Sequence, residues 1–230
     1  MKDLFLSSLF IGAGISLLAY FSGVYLKNRF KSGIFNPLLI AIVLTIAFLK
    51  ILDIDYETYN MSAKYISYFL TPATVSLAIP LYEELELLKR HYKAITAAIL
   101  SGVVTSLVTV FLLSKIFGLT HSEYVTFLPK SITTAIGMGV SEELGGYVTI
   151  TVAVIVLTGV FGNIFGELIL KLLKVKEPIS KGLAYGTASH AIGTAKAMEI
   201  GEIEGAMSSL SVCVAGILTV ILAPLFANLI

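Results

Sequence analysis

Charge is scarce in this sequence. Asp, Glu, Lys and Arg make up 13% of its 230 residues, about half the quarter that a soluble domain usually carries. So few charges cannot cover a water-facing surface. With 57% hydrophobic residues and a mean hydropathy of +0.91, the excess apolar surface must face lipid. Cysteine is scarcer still. The single Cys213 excludes an intrachain disulfide and any cysteine-cluster metal site. The three histidines stand far apart, at 91, 121 and 190, so paired-histidine metal spacing is missing and neither metal nor other cofactor is expected. A net charge of +1 without a basic run excludes nucleic acid as a partner. An enzyme's catalytic set is missing too. Ser189 and His190 are adjacent and would point to different faces of a helix. Gly137-Met-Gly139 follows no strand and lacks the remaining glycine spacing of a nucleotide loop.

What the sequence does have is long uncharged runs. Residues 4–26, 32–49, 65–82, 94–114, 144–166 and 205–230 contain no charged side chain and run for 18 to 26 residues each. About 20 helical residues cross 30 Å of hydrocarbon. The expected fold is all-α: a polytopic, multi-pass protein of the cell membrane with about six full transmembrane helices, forming one domain over residues 1–230. The first run exceeds a signal-peptide core and no Ala-x-Ala site follows it, so it reads as a retained helix. Residues 131–141 and 182–195 are too short to cross and are rich in Gly, Ser and Thr, the pattern of broken or re-entrant helices.

Basic residues mark three links: Lys27, Arg29 and Lys31; Lys89, Arg90 and Lys93; and Lys171, Lys174, Lys176 and Lys181. The link with Asp53, Asp55 and Glu57 is acidic. The positive-inside rule puts the basic links in the cytoplasm, and the N-terminus outside. Segment 121–145 must then re-enter as a hairpin or cross twice.

An internal repeat contains the polar residues. Segments 72–80, 129–137 and 185–193 are offset by 57 and 56 residues. Each reads hydroxyl, small apolar, hydroxyl, any residue, Ala-Ile, then Pro or Gly. The hydroxyls are Thr74 and Ser76, Ser131 and Thr133 (with Thr134 following), and Thr187 and Ser189; the later breakers are Gly137 and Gly193. A break inside the membrane frees backbone groups that only protein or a wet cavity can satisfy. The helix starts so exposed suit an anion, and the hydroxyls can complete a carboxylate's hydrogen bonds. Small residues at i and i+4 equally mark close helix packing.

Lys130, His190 and Lys196 lie within or beside these segments. A lysine at membrane depth costs about 2.5–3.5 kcal/mol and is usually paired or functional; snorkelling to the headgroups is the plain alternative. On one helical face Thr187, His190 and Thr194 would align, and Lys196 would reach Glu199. His190 is the first candidate for proton coupling, followed by Glu142, Glu143 and Glu199; for the first two a solvated turn is the bland alternative.

At these segments the sequence resembles the LrgB/CidB family of antiholin-like membrane proteins. The match rests on Leu70-Thr-Pro-Ala-Thr-Val-Ser-Leu-Ala-Ile-Pro-Leu-Tyr82, on Pro129-Lys-Ser-Ile-Thr-Thr-Ala-Ile-Gly-Met-Gly-Val-Ser-Glu-Glu-Leu-Gly-Gly146, and on Gly186-Thr-Ala-Ser-His-Ala-Ile-Gly-Thr-Ala-Lys-Ala-Met-Glu199. It continues through residues 204–211 and its spacing covers nearly the whole chain. The resemblance implies two functions. Bacterial members are described as modulators of murein hydrolase activity and lysis that pair with a membrane partner of the LrgA/CidA type. Plastid members, and some bacterial ones, look like carriers of glycolate, glycerate or pyruvate. The interrupted helices favour the carrier: a secondary transporter of small monocarboxylates, expected as a homo-oligomer in the bilayer, with lysis control as the alternative.

Overall fold

The computed structural model describes residue 8 and residues 10–30, 35–76 and 78–230; the side chains of Leu70, Thr74, Pro80 and Leu81 are not among those described. Lys31, residues 4–7 and 9 of the first expected span, residues 32–34 of the second, and Leu77 of the first repeat lie outside the described residues. Every regular element among the described residues is helical. The chain divides into two compact units, Met1–Ser76 and Leu77–Ile230.

In the first unit, α1 (Ile11–Phe30) and α2 (Pro37–Ile51) pack together. Asn36 starts α2: its Oδ1 accepts the Leu38 and Leu39 N–H groups, and Pro37 has no N–H to satisfy. Next comes α3 (Tyr56–Ala63), capped by Asp55. It lies against α1, where Ser62 Oγ accepts the Gly12 N–H at 2.9 Å. A 3-10 segment, Lys64–Phe69, leads to α4 (Leu70–Ser76).

The second unit contains α5 (Ala78–Glu83), α6 (Leu85–Phe117), α7 (His121–Phe127), α8 (Thr134–Glu143), α9 (Val148–Leu172), α10 (Pro178–Ile200) and α11 (Glu202–Ala227). Among the described residues, α6, α9 and α11 are long and apolar enough to cross a membrane. They correspond to three of the six expected spans. The stretch 32–49 yields the 15-residue α2. The stretch 65–82 departs from expectation, because it is divided among the 3-10 segment, α4 and α5. Pro72 and Pro80 fall in the first turns of those short helices, where a missing N–H does least harm. Each proline thus marks a new helix start within what composition suggested was one rod.

Ile95, Ile99, Val103, Leu107 and Val110 form one buried face of α6 and pack with Tyr124, Val125 and Met207. Its other side exposes Leu100, Leu112 and Leu113. A helix apolar on both its buried and exposed faces is suited to lipid.

Two hairpins enter this unit from opposite ends. In the first, the Thr126 carbonyl accepts from Thr151 Oγ1 at 2.9 Å, and Thr126 Oγ1 accepts the Tyr147 N–H at 2.8 Å. Ser141, on the way out, meets the same Thr151 hydroxyl at 2.7 Å. Both limbs therefore stand at the first turn of α9. At the far tip Ser131 lies 3.3 Å from Ser106, about 16 Å along α6 from its C-terminal end at 1.5 Å per residue. Segment 121–145 returns to the end it entered.

The second hairpin is α10 itself. His190 adopts φ 42° and ψ −140°, which breaks the helix in two. Lys181 on the inbound limb faces Glu204 in the first turn of α11 at 3.9 Å. Lys196 on the outbound limb reaches Glu167 at 3.7 Å, and Glu167 pairs with Lys171 at 2.8 Å near the end of α9. The limbs press together at Gly193, where a Cβ would overlap Ser189 and the Tyr185 carbonyl. This hairpin enters where α9 ends and α11 begins.

Candidate anion-binding cavity at the hairpin tips

The two tips meet a face of α6 around a cavity of about 530 Å³. Lys130 and Ser131 come from the first hairpin. Ser180, Leu183, Ala184, Thr187 and Ala188 come from the inbound limb of the second. The α6 wall supplies Ala98, Ser101, Gly102, Thr105, Ser106 and Thr109. Gly102 sets the approach of α10, since a Cβ there would collide with the Thr187 methyl.

Lys130 brings the charge. Its Nζ donates to Ser131 Oγ at 2.9 Å, and among the described residues it makes no ion pair with a carboxylate. Thr187 brings an unmet need. It is 8% exposed, and its Oγ1 is buried without a hydrogen-bond partner among the described residues. Leaving such a group unpaired costs about 1–3 kcal/mol, which a ligand oxygen can recover. Lys130 also borders a second hollow of about 440 Å³, lined by Leu157, Thr158, Phe161, Gly162, Ala188 and Ser189.

A cationic cavity where two broken helices meet matches the organisation of the motifs that suggested a family. The model of the LrgB-like family matches residues 16–229. The chain belongs to the LrgB-like family. It is 42% identical over 218 residues to the antiholin-like protein LrgB of Bacillus cereus strain B4264, and equally to that of strain AH187; each match covers 94% of this chain and 95% of the relative. No solved structure matches the chain. The LrgB match runs through both compact units.

The other expected site residues of this LrgB-like chain lie elsewhere. His190 is buried, and its Nε2 lies 2.9 Å from the Ile155 carbonyl. A carbonyl only accepts, so Nε2 carries the proton. Gly159 leaves room for the ring, and His190 pins the break to α9 without lining the 530 Å³ cavity. Thr194 Oγ1 donates to the His190 carbonyl at 3.0 Å and meets Ser208 Oγ at 2.8 Å. Ser189 packs into the gap left by Gly162, and Gly137 packs against Ile155 and Pro129. Thr133 is the extended N-cap of α8, followed by Thr134; neither lines the cavity.

Lys196 is engaged by Glu167 and by Glu199 at 3.3 Å. Glu142 and Glu143 are exposed at the end of α8. Ser76 Oγ donates to the Ala73 carbonyl at 2.7 Å in the other unit, and the side chain of Thr74 lies outside the description. The cavity thus gathers Lys130, Ser131 and Thr187 from the expected set. It adds four hydroxyls of α6 that reasoning from the sequence passed over: Ser101, Thr105, Ser106 and Thr109. Their signal was Ser101, Thr105 and Thr109 at i, i+4 and i+8 in an uncharged span, one helical stripe.

Proposed function

We propose that this LrgB-like chain is an antiholin-like, multi-pass protein of the cell membrane that works by binding and carrying a small monocarboxylate such as glycolate, glycerate or pyruvate. The relatives' names support the antiholin-like class. The observation that carries the transport mechanism is Lys130, a cation without a carboxylate partner among the described residues, lining the same cavity as Thr187, whose hydroxyl is unsatisfied among them. One unpaired ammonium calls for one negative charge. Ser131, holding the lysine through its oxygen lone pair, still has its own proton to donate to a carboxylate. Thr187 would supply a second donor, and a three-carbon acid with its water fits within 530 Å³.

Hairpins entering from opposite ends, built on the repeated segments 129–137 and 185–193, support an inverted repeat. Such pairs open alternately to the two sides in many carriers. Inward movement of one negative charge against 100 mV costs about 2.3 kcal/mol, so uptake requires a co-transported cation or an outgoing anion. His190 is the coupling candidate through its position at the break. Glu142, Glu143 and Glu199 do not line the cavity and would act only at the hairpin mouths. Saturable uptake of labelled glycolate or pyruvate into proteoliposomes is expected, with a loss of at least tenfold in Lys130→Gln. Absence of saturable flux, with and without an LrgA/CidA-type partner, would remove the carrier mechanism.

The relatives' antiholin-like name favours a second reading, an antiholin-like regulator; with the family resemblance this becomes a regulator of murein hydrolase activity and lysis that acts through an LrgA/CidA-type partner or through homo-oligomers and moves no substrate. Under that reading Lys130→Gln and Thr187→Val leave lysis phenotypes intact. Under the carrier reading both variants change lysis and flux together.

A further inference from the structure

A separate basic groove lies where α9 ends. It has a volume of about 330 Å³ and is lined by Lys171, Lys174, Lys176 and Lys181 with Glu167, against an apolar wall that includes Leu170, Val175 and Ile200. Glu167 holds Lys171 at 2.8 Å, and Glu204 faces Lys181 at 3.9 Å. Lys174 and Lys176 make no such pair among the described residues. Four ammonium groups against one lining carboxylate leave an excess of positive charge in a concave, half-apolar site.

The backbone adds a second observation. Helix α9 closes with the Val175 N–H on the Leu170 carbonyl at 2.9 Å and the Lys174 N–H on the Lys171 carbonyl at 3.1 Å. That closure places one residue in the left-handed region, a position where glycine is favoured. Here it is Lys174, at φ 57°. A lysine kept where glycine would be less strained is an outlier of the kind found at binding sites. Since α9 is long and apolar enough to cross a membrane, its end stands at headgroup depth.

We infer that this groove binds a phosphate ester, with the lysines on the phosphate and the apolar wall against a glycerol or acyl portion. An anionic phospholipid headgroup and a soluble phosphate ester share that chemistry; basic pockets at helix ends commonly hold the former. The test uses the full chain in nanodiscs containing labelled phosphatidylglycerol or labelled phosphatidylcholine, with the lipid retained by the protein counted after exchange into neutral lipid. Preferential retention of phosphatidylglycerol is expected, falling at least fivefold in Lys174→Gln/Lys176→Gln. Displacement by millimolar glycerol phosphate would assign the site to a soluble ester, and resistance to it would assign the site to lipid; both keep the phosphate chemistry. Equal retention of the two lipids, without protection by glycerol phosphate against lysine acylation in the groove, overturns the inference. Lys174→Gly separates binding from folding: it relaxes the backbone, so unfolding in neutral lipid should occur at the same or higher temperature while retention falls. A Lys174→Gly protein that keeps full retention also counts against it.

Discussion

An ammonium and a buried hydroxyl share the cavity, and each responds differently to removal. Lys130→Gln keeps a hydrogen-bonding group beside Ser131 but deletes the charge. Affinity for glycolate should drop at least tenfold, about 1.4 kcal/mol, when measured by calorimetry in detergent. Thr187→Val acts on the orphaned Oγ1. Without ligand, its melting temperature should be unchanged or higher, because an unsatisfied buried group has been removed. With ligand, the stabilisation by glycolate should shrink. A variant that loses stability equally with and without glycolate would assign Thr187 to packing alone. Lys130 was legible from the sequence as an isolated charge in an interrupted segment. Lys196, equally conspicuous there, was expected to reach Glu199, and it does so at 3.3 Å; its second partner was not legible. Only the fold brings Glu167 within 3.7 Å of Lys196, from 29 residues away in sequence.

Helix ends and limb contacts decide whether the hairpins hold. The Thr151 hydroxyl meets both limbs of the first hairpin, through the Thr126 carbonyl and Ser141 Oγ. Thr151→Val leaves those buried partners short of a bond and should cost about 1–3 kcal/mol in unfolding free energy. The start of α7 carries a capping box between Thr120 and Glu123. The Thr120 backbone N–H and then its hydroxyl hold the Glu123 carboxyl below its ordinary value of 4.5. A depressed folded-state value means stability that is present above pH 4.5 and lost as pH falls through the folded value. Protection of the amides in this first turn, taken relative to the intrinsic exchange rate at each pH, should fall on acidification, and Glu123→Gln should abolish that dependence. That segments 129–137 and 185–193 are interrupted was legible, but the expected breakers were wrong: Gly137 lies inside α8 and Gly193 inside the outbound limb, while the second hairpin breaks at His190. Which hydroxyls face the cavity was not legible. The turn at His190 reorients everything after it, so Thr187 and Thr194 do not share the face that one continuous helix would give them.

At the scale of the whole unit, the path of the chain makes a prediction about sides. In a Cys213→Ser background, Ser122→Cys and Glu143→Cys should react with an impermeant thiol reagent from one side of oriented vesicles. Glu177→Cys and Glu199→Cys should react from the other. Labelling of the first two from opposite sides would mean that segment 121–145 crosses, and the hairpin would be lost. The basic ends agree with this arrangement: Lys89, Arg90 and Lys93 begin α6, and Lys171 and Lys174 end α9. By the positive-inside rule that end is expected on the cytoplasmic side.

Composition alone determined that this chain is helical and made for lipid, because sparse charge and long uncharged runs leave apolar surface that water cannot solvate. Sequence also marked the interrupted segments by their small, hydroxyl-rich composition, but it did not place the break of the second hairpin, which falls at His190 and not at Gly193. Tertiary structure decided what surrounds them: that two hairpins meet α6, that Lys130 finds no carboxylate among the described residues while Lys196 finds two, and that Thr187 Oγ1 finds no hydrogen-bond partner among them. Those outcomes depend on residues distant in sequence arriving at the same depth, and local periodicity carries no record of depth.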